Sequence, residues 1–161
     1  MVKLVGMWVL ILLLVLSLLI FAAGQLGLLR GHRPNDLGLH DGLLKPPVKR
    51  SWNVVSSHAH LQPHTAYHVI DPLRYSGDGP AAFERLNTLV RARAGVTIVR
   101  AEPGYLHAEF ETRWLKFVDD VEFVLDQPAG VIQMRSASRL GRKDFQANRQ
   151  RLESIRQEFN G

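Results

Sequence analysis

Asp119 and Asp120 stand side by side at the head of a strand-like run, and Arg135-Ser136-Ala137-Ser138-Arg139 closes the next one. Carboxylates near guanidinium groups and hydroxyls can bind a polar ligand or move protons. Neighbouring residues of a strand point to opposite faces, so the two aspartates make a poor catalytic dyad. Asp120 and Arg139 are the candidate ligand-binding residues. Asp119, Ser136, Ser138 and Asn148 are better read as a structural polar network. No residue is singled out as catalytic, because the chain has no GxSxG elbow, HExxH helix, phosphate loop or dinucleotide fingerprint.

A second group of chemistry-bearing residues is His58, His60, His64 and His68. Metal ligands must converge and be oriented by a second set of groups. Pro63 and the β-branched pair Val69-Ile70 argue against a helix that would align these rings, and a solvated loop is the simpler reading. Neither a metal nor another cofactor is expected. Cysteine is absent, which excludes disulfides and thiolate chemistry.

The acidic pair and the Arg-Ser-x-Ser-Arg run need a hairpin to bring them together. Gln127-Pro128-Ala129-Gly130 is a turn. With those residues as the loop, Glu122 falls opposite Arg135, Asp119 opposite Ser138, Val121 opposite Ser136 and Phe123 opposite Met134. Asp120, Glu122 and Arg135 then share an outer, wet face, where the Glu122–Arg135 pair contributes no more than about 1 kcal/mol. Asp119, Ser136 and Ser138 point towards the helices. Asn148 lies on the apolar stripe of the last helix, between Phe145 and Leu152, and needs partners there. The Ser136–Arg139 segment, Asp119 and Asp120 are the expected ones.

The remaining elements follow from periodicity. Ala66 to Ile70 suggests a first strand. Asp78-Gly79-Pro80 starts a helix with the stripe Phe83, Leu86, Leu89 and Val90, ended by Gly95. Val96 to Ala101 and Tyr105 to Trp114 alternate as strands, with Leu106, Ala108, Phe110, Thr112 and Trp114 on one face. The last helix starts near Asp144. The fold class is therefore α+β: an N-terminal transmembrane helix, then an antiparallel sheet of about four or five strands with two helices on one face and the other face partly open to water.

Leu4 to Ala23 carries no charge. Some 20 helical residues span about 30 Å, the thickness of a bilayer's hydrocarbon core. The run exceeds the usual length of a signal-peptide core, although Ala22-Ala23-Gly24 would pass as a cleavage site. The expected organisation is a membrane anchor over 1–30, a tether rich in Pro, Gly and His over 31–65, and the α+β domain over 66–161. A count of Lys and Arg on the two flanks, with Lys45, Lys49 and Arg50 included, favours a cytoplasmic domain. A short tail carrying Lys3 before a long apolar run resembles an uncleaved export signal, and the expectation is a single pass of the inner membrane with the domain outside the cytoplasm. The net charge of +5 is modest and both signs interleave. No basic stripe with stacking aromatics is present, so nucleic acid is not an expected partner.

The segments FVDDVEFVLD and GVIQMRSASRLGRKDFQANRQRLESIR resemble the domain-of-unknown-function family 1499. Asn53 to Ser57, HVIDPLRYSGDGPAAFERL and GYLHAEFETRW are similar to it as well, so the resemblance runs from about residue 51 to 161. Trp52-Asn53-Val54 stands where that family often has Pro-Asn-Cys. The resemblance implies a bacterial or plastid protein behind a membrane or export segment, and it implies no reaction. The expected function is a non-catalytic domain held near the bilayer, with the membrane and a protein, lipid or small polar ligand as partners. The alternatives are a hydrolase using Asp, Ser and His side chains, and a lipid-handling domain with a cavity under the last helix.

Overall fold

The computed structural model describes residues 2–48 and 50–161. Lys49, counted above among the basic flank, lies outside them. Helix α1 spans Val2–Gln25. Its mean hydropathy over an 18-residue apolar window is 3.0, and none of that window is buried against the rest of the protein. One such helix near the N-terminus fits either a membrane span or a signal sequence.

After α1 come a short hairpin, β1 (Leu39–His40) with β2 (Leu43–Leu44), then β3 (Val54–Ser56) and β4 (Leu73–Arg74). Helix α2 covers Gly79–Arg91, followed by strands β5 (Val96–Glu102), β6 (Tyr105–Glu111), β7 (Val118–Asp126) and β8 (Val131–Ser138), and helix α3 (Ala147–Asn160). Strands β3 to β8 form one antiparallel six-stranded sheet in the order β3-β8-β7-β6-β5, with β4 also on β8. The fold is α+β, as its pattern predicted.

The β7–β8 register is the expected one: Glu122 pairs with Arg135, Asp119 with Ser138, Val121 with Ser136 and Phe123 with Met134. Helices α2 and α3 cover one face. Phe83, Leu86 and Val90 of α2, with Leu152, Ile155 and Phe159 of α3, fill the space over Leu106, Val121, Phe123, Ile132 and Met134. Asp78 caps α2 by accepting from the Ala81 amide at 2.8 Å.

Several boundaries move. Ala66–His68 is a turn of 3-10 helix, not a strand, because His68 is buried and held at both ring nitrogens. Its Nδ1 accepts from the Thr65 amide at 3.0 Å, and its Nε2 donates to the Ser51 carbonyl at 2.6 Å. Pairing with β8 passes instead to Leu73–Arg74. Strand β6 stops at Glu111, since Thr112 closes a turn on Phe117, so Trp114 is exposed and not in the core. Helix α3 begins at Ala147 and not at Asp144, because Phe145 and Gln146 adopt positive φ.

The largest correction concerns the outer face of the sheet, which is covered and not wet. Much of the segment 31–65, expected as a free tether, lies across it as a strap, over residues 31–48 and 50–62, and adds β3 to the sheet edge. Leu44 is fully buried, which stabilises the strap by about 1.5–3 kcal/mol. The Gly38 amide donates to Glu122 Oε1 at 2.7 Å, and Arg135 Nε donates to the Lys45 carbonyl at 3.1 Å. Gly31 passes so close that a Cβ there would sit 2.8 Å from Arg139 Cβ, at a φ of 68°.

His58 closes the strap on itself, its Nδ1 accepting from the Leu44 amide at 3.0 Å. Burial holds the imidazole below its ordinary pKa of 6.5. A neutral ring is needed to accept this bond, so the contribution is complete above pH 6.5 and lost as pH falls from there through the lower folded value. Thermal melts of the full chain in detergent will show Tm declining below pH 6.5. The His58→Gln variant will lack that part of the slope, and an unchanged slope would exclude this role.

Candidate functional site

Strands β7 and β8 carry two polar clusters, one on each face. On the helix side, Asn148 is fully buried and fully bonded. Its Oδ1 accepts from Ser136 Oγ at 2.5 Å and from Arg151 Nη1 at 2.7 Å. Its Nδ2 lies 2.9 Å from Ser138 Oγ, 3.0 Å from the Asn53 carbonyl and 2.7 Å from Asp144 Oδ2. Arg151 completes the group by donating to Asp119 Oδ2 at 2.5 Å. The polar joint between hairpin and last helix is therefore present, and Asn148 bonds into the Ser136–Arg139 segment as its position demanded.

Asp144 also supports the start of α3. Its carboxylate accepts from the Gln146 and Asn148 amides, both at 3.0 Å, and from the Tyr67 hydroxyl. Burial alone would raise its pKa; the bonds from Tyr67 and Asn148 outweigh that and hold it below the usual carboxylate range. Burial, reinforced by Asp144, pushes the Tyr67 hydroxyl up to about 12.

On the strap side, Arg139 grips Asp120 with two bonds, Nε to Oδ2 and Nη2 to Oδ1, both 2.8 Å. The same Nη2 reaches Glu109 Oε1 at 2.5 Å. His107 Nε2 lies 2.8 Å from Asp120 Oδ1, and Arg33 of the strap donates to Glu109 at 2.6 Å. Arg30 ties to Glu111 at 2.7 Å. Two residues along β7, Glu122 accepts from Arg135 at 3.1 Å and from the Tyr105 hydroxyl at 2.9 Å. Burial works against ionisation of Asp120 and Glu109, but Arg139 bonds to both, His107 to Asp120 and Arg33 to Glu109, and both pKa values lie below the ordinary range. These carboxylates raise the pKa of Arg139 in turn.

Asp120 and Arg139 are thus brought together, but bound to each other. Asp119, Ser136, Ser138 and Asn148 meet on the opposite side of the sheet. Ser138 consequently stands away from His107 and Asp120, and among the described residues no serine or threonine hydroxyl bonds to that His–Asp pair. The four histidines near the strap do not gather either: His58 and His68 make the internal bonds described above, while His60 and His64 are exposed. Among the described residues no group of His, Asp and Glu side chains is placed to hold a metal ion. The space between sheet and α3 is filled by side chains, which removes the premise of a lipid cavity there.

A cleft of about 370 Å3 opens between the strap and the Ser138 end of β8. Lys45, Arg50, Arg135, Arg139 and Arg142 line it, and Asp120 is its one carboxylate among the described residues. Lys45, Arg135 and Arg139 already face Asp36, Glu122 and Asp120. Arg50 and Arg142 are exposed and form no ion pair among the described residues. The cleft therefore presents net positive charge to solvent.

Sequence reasoning missed Arg151, Arg33 and Arg142, and gave Arg50 no part in a site. Arg151 was within reach of a helical rule, since it lies three residues beyond Asn148 on the same face. Arg33 carried no such signal, because its role depends on the path of an irregular segment.

The comparisons with known proteins add one assignment. Residues 46–159 match the family described as Protein of unknown function (DUF1499), and the chain belongs to that family. No curated protein and no solved structure matches the chain.

Replacing Asp120 by Asn will leave Arg139 buried beside a neutral amide. Urea unfolding should show a loss of about 3–5 kcal/mol, far above the loss expected for an exposed carboxylate such as Asp41. The lowered pKa values of Asp120 and Glu109 set the sign in acid. Their contribution is present above the ordinary carboxylate values and is lost as pH falls through the lower folded ones.

Proposed function

We propose that this member of the DUF1499 family is a membrane-anchored binding domain whose α+β body holds a small anion, a phosphate or carboxylate group, in the cleft beside Arg139. The observation that carries this reading is the surplus of cationic side chains around one concavity, two of them uncommitted. Arginine forks match the geometry of phosphate and carboxylate oxygens, and charge-assisted bonds of this kind are the stronger ones. Arg139 and Asp120 would form the rigid wall of the site, while Arg50 and Arg142 would close on the ligand. The separation of Ser138 from His107 and Asp120 supports binding without chemistry.

In the same reading α1 is retained and crosses the bacterial inner membrane once, with the body outside the cytoplasm. Its length and the exposure of its apolar window support this. Calorimetry and thermal shift on the full chain in zwitterionic detergent will test the site, with inorganic phosphate against chloride at equal ionic strength. Saturable binding is expected. Arg50→Ala and Arg142→Ala should each weaken it about tenfold, the loss of one bond to a charged group. No saturation, or undiminished affinity in the double variant, would overturn the reading.

A further inference from the structure

The residues around the exit of α1 are unusually apolar for a surface. Trp114 is 63% exposed and Phe145 88%, and Phe117 and Leu140 are exposed beside them. They occupy one edge of the body. Gln25, the last residue of α1, donates to the Trp114 carbonyl at 2.8 Å. A Cβ on Gly24 would meet the Leu115 carbonyl oxygen at 2.7 Å, so α1 ends directly on this loop. Gly31 in turn abuts Leu140. Phe117, Leu140 and Phe145 line one shallow cleft of about 320 Å3, and Phe145 also borders the next depression with Trp52 and Lys143.

Two further observations indicate what covers this edge. The aromatics are interleaved with cations: the Arg113 guanidinium lies 4.8 Å from the Trp114 ring centroid, and Lys143 Nζ lies 4.9 Å from that of Trp52. Tryptophan with lysine or arginine is the composition of the zone between headgroups and acyl chains. Phe145 is also held out at a φ of 52°, followed by Gln146 at 74°. Consecutive non-glycine residues in that region are costly, and here they hold an apolar ring in solvent with no protein over it.

We infer that this edge, formed by Trp52, Trp114, Phe117, Leu140 and Phe145, seats in the interfacial layer of the bilayer that α1 enters. The inference rests on the retained anchor proposed above and adds a second membrane contact to it. The occupant is a lipid surface, because the edge is continuous with the end of an apolar helix long enough to span one. The rings enter the headgroup boundary, and Arg113 and Lys143 meet anionic headgroups.

The chain has no cysteine, so single-cysteine variants carry one environment-sensitive fluorophore each. The full chain is reconstituted in vesicles of phosphatidylcholine and phosphatidylglycerol containing, in parallel preparations, a shallow nitroxide-labelled lipid for the labels on the body and a deep one for the label in α1. Labels are placed at Leu12→Cys in α1, at Ala147→Cys beside the edge, and at Ala129→Cys in the distant β7–β8 turn. Quenching is expected at Leu12 and Ala147, with the Ala147 label quenched at least about twofold more than the Ala129 label. Adding Phe117→Glu and Phe145→Glu should bring Ala147 down to the Ala129 level and leave Leu12 unchanged. Quenching at Leu12 with Ala147 equal to Ala129 would overturn the seated edge while sparing the anchor. Quenching that survives both glutamates would also overturn it. An unquenched Leu12 label would overturn the anchor and the seated edge together.

Discussion

The bidentate pair between Arg139 and Asp120 lies under residues 30–45, out of water, and the strap side of the molecule is arranged around that fact. A carboxylate taken from solvent loses several kcal/mol of hydration, which only close cations and full hydrogen bonding offset. Asp120 therefore has both oxygens bound to Arg139, one of them also to His107, and Glu109 takes the remaining side of the arginine. Glu109 is in turn met by Arg33, which belongs to the covering segment. The cover is thus part of the neutralisation of what it covers, and the strap and the charges beneath it are stable only together.

The helix side obeys the same constraint with different partners. Alternation along β7 sends Asp119 to Arg151 and Asp120 to Arg139, so one hairpin register serves both clusters. A slip of one residue would exchange the two aspartates between faces and leave each without its arginine. The polar groups here specify the pairing, while Phe123 and Met134 supply the apolar area.

What could be read from the sequence was what depends on local spacing. The register of Glu122 with Arg135, the cap at Asp78 and the amide of Asn148 all follow from periods of two or 3.6 and from turn chemistry. What could not be read depends on where irregular chain travels. Residues 30–62 lack a period, so nothing in them announced that they would cover Glu122 and make a surface pair into a buried one. The alternation that put Leu106, Ala108 and Phe110 on one face of β6 leaves His107 and Glu109 on the other, but polarity alone implied water where the structure has Leu44 and Gly38. Thr112 and Phe145 show the same limit on a smaller scale: each ends a regular pattern through a turn whose bonds are made only in the folded chain.

The course of the strap has a mechanical consequence. Extended, residues 31–65 would reach about 115 Å, and a body on such a line would sweep a large volume and take any orientation. Laid across the sheet and fastened through Arg33, Gly38, Leu44 and Lys45, the same residues contribute almost no reach. The end of α1 and the sheet move as one piece, with a fixed side of the body turned towards the helix. Any partner of this protein must come to that geometry, because the chain has given up the length with which it could search.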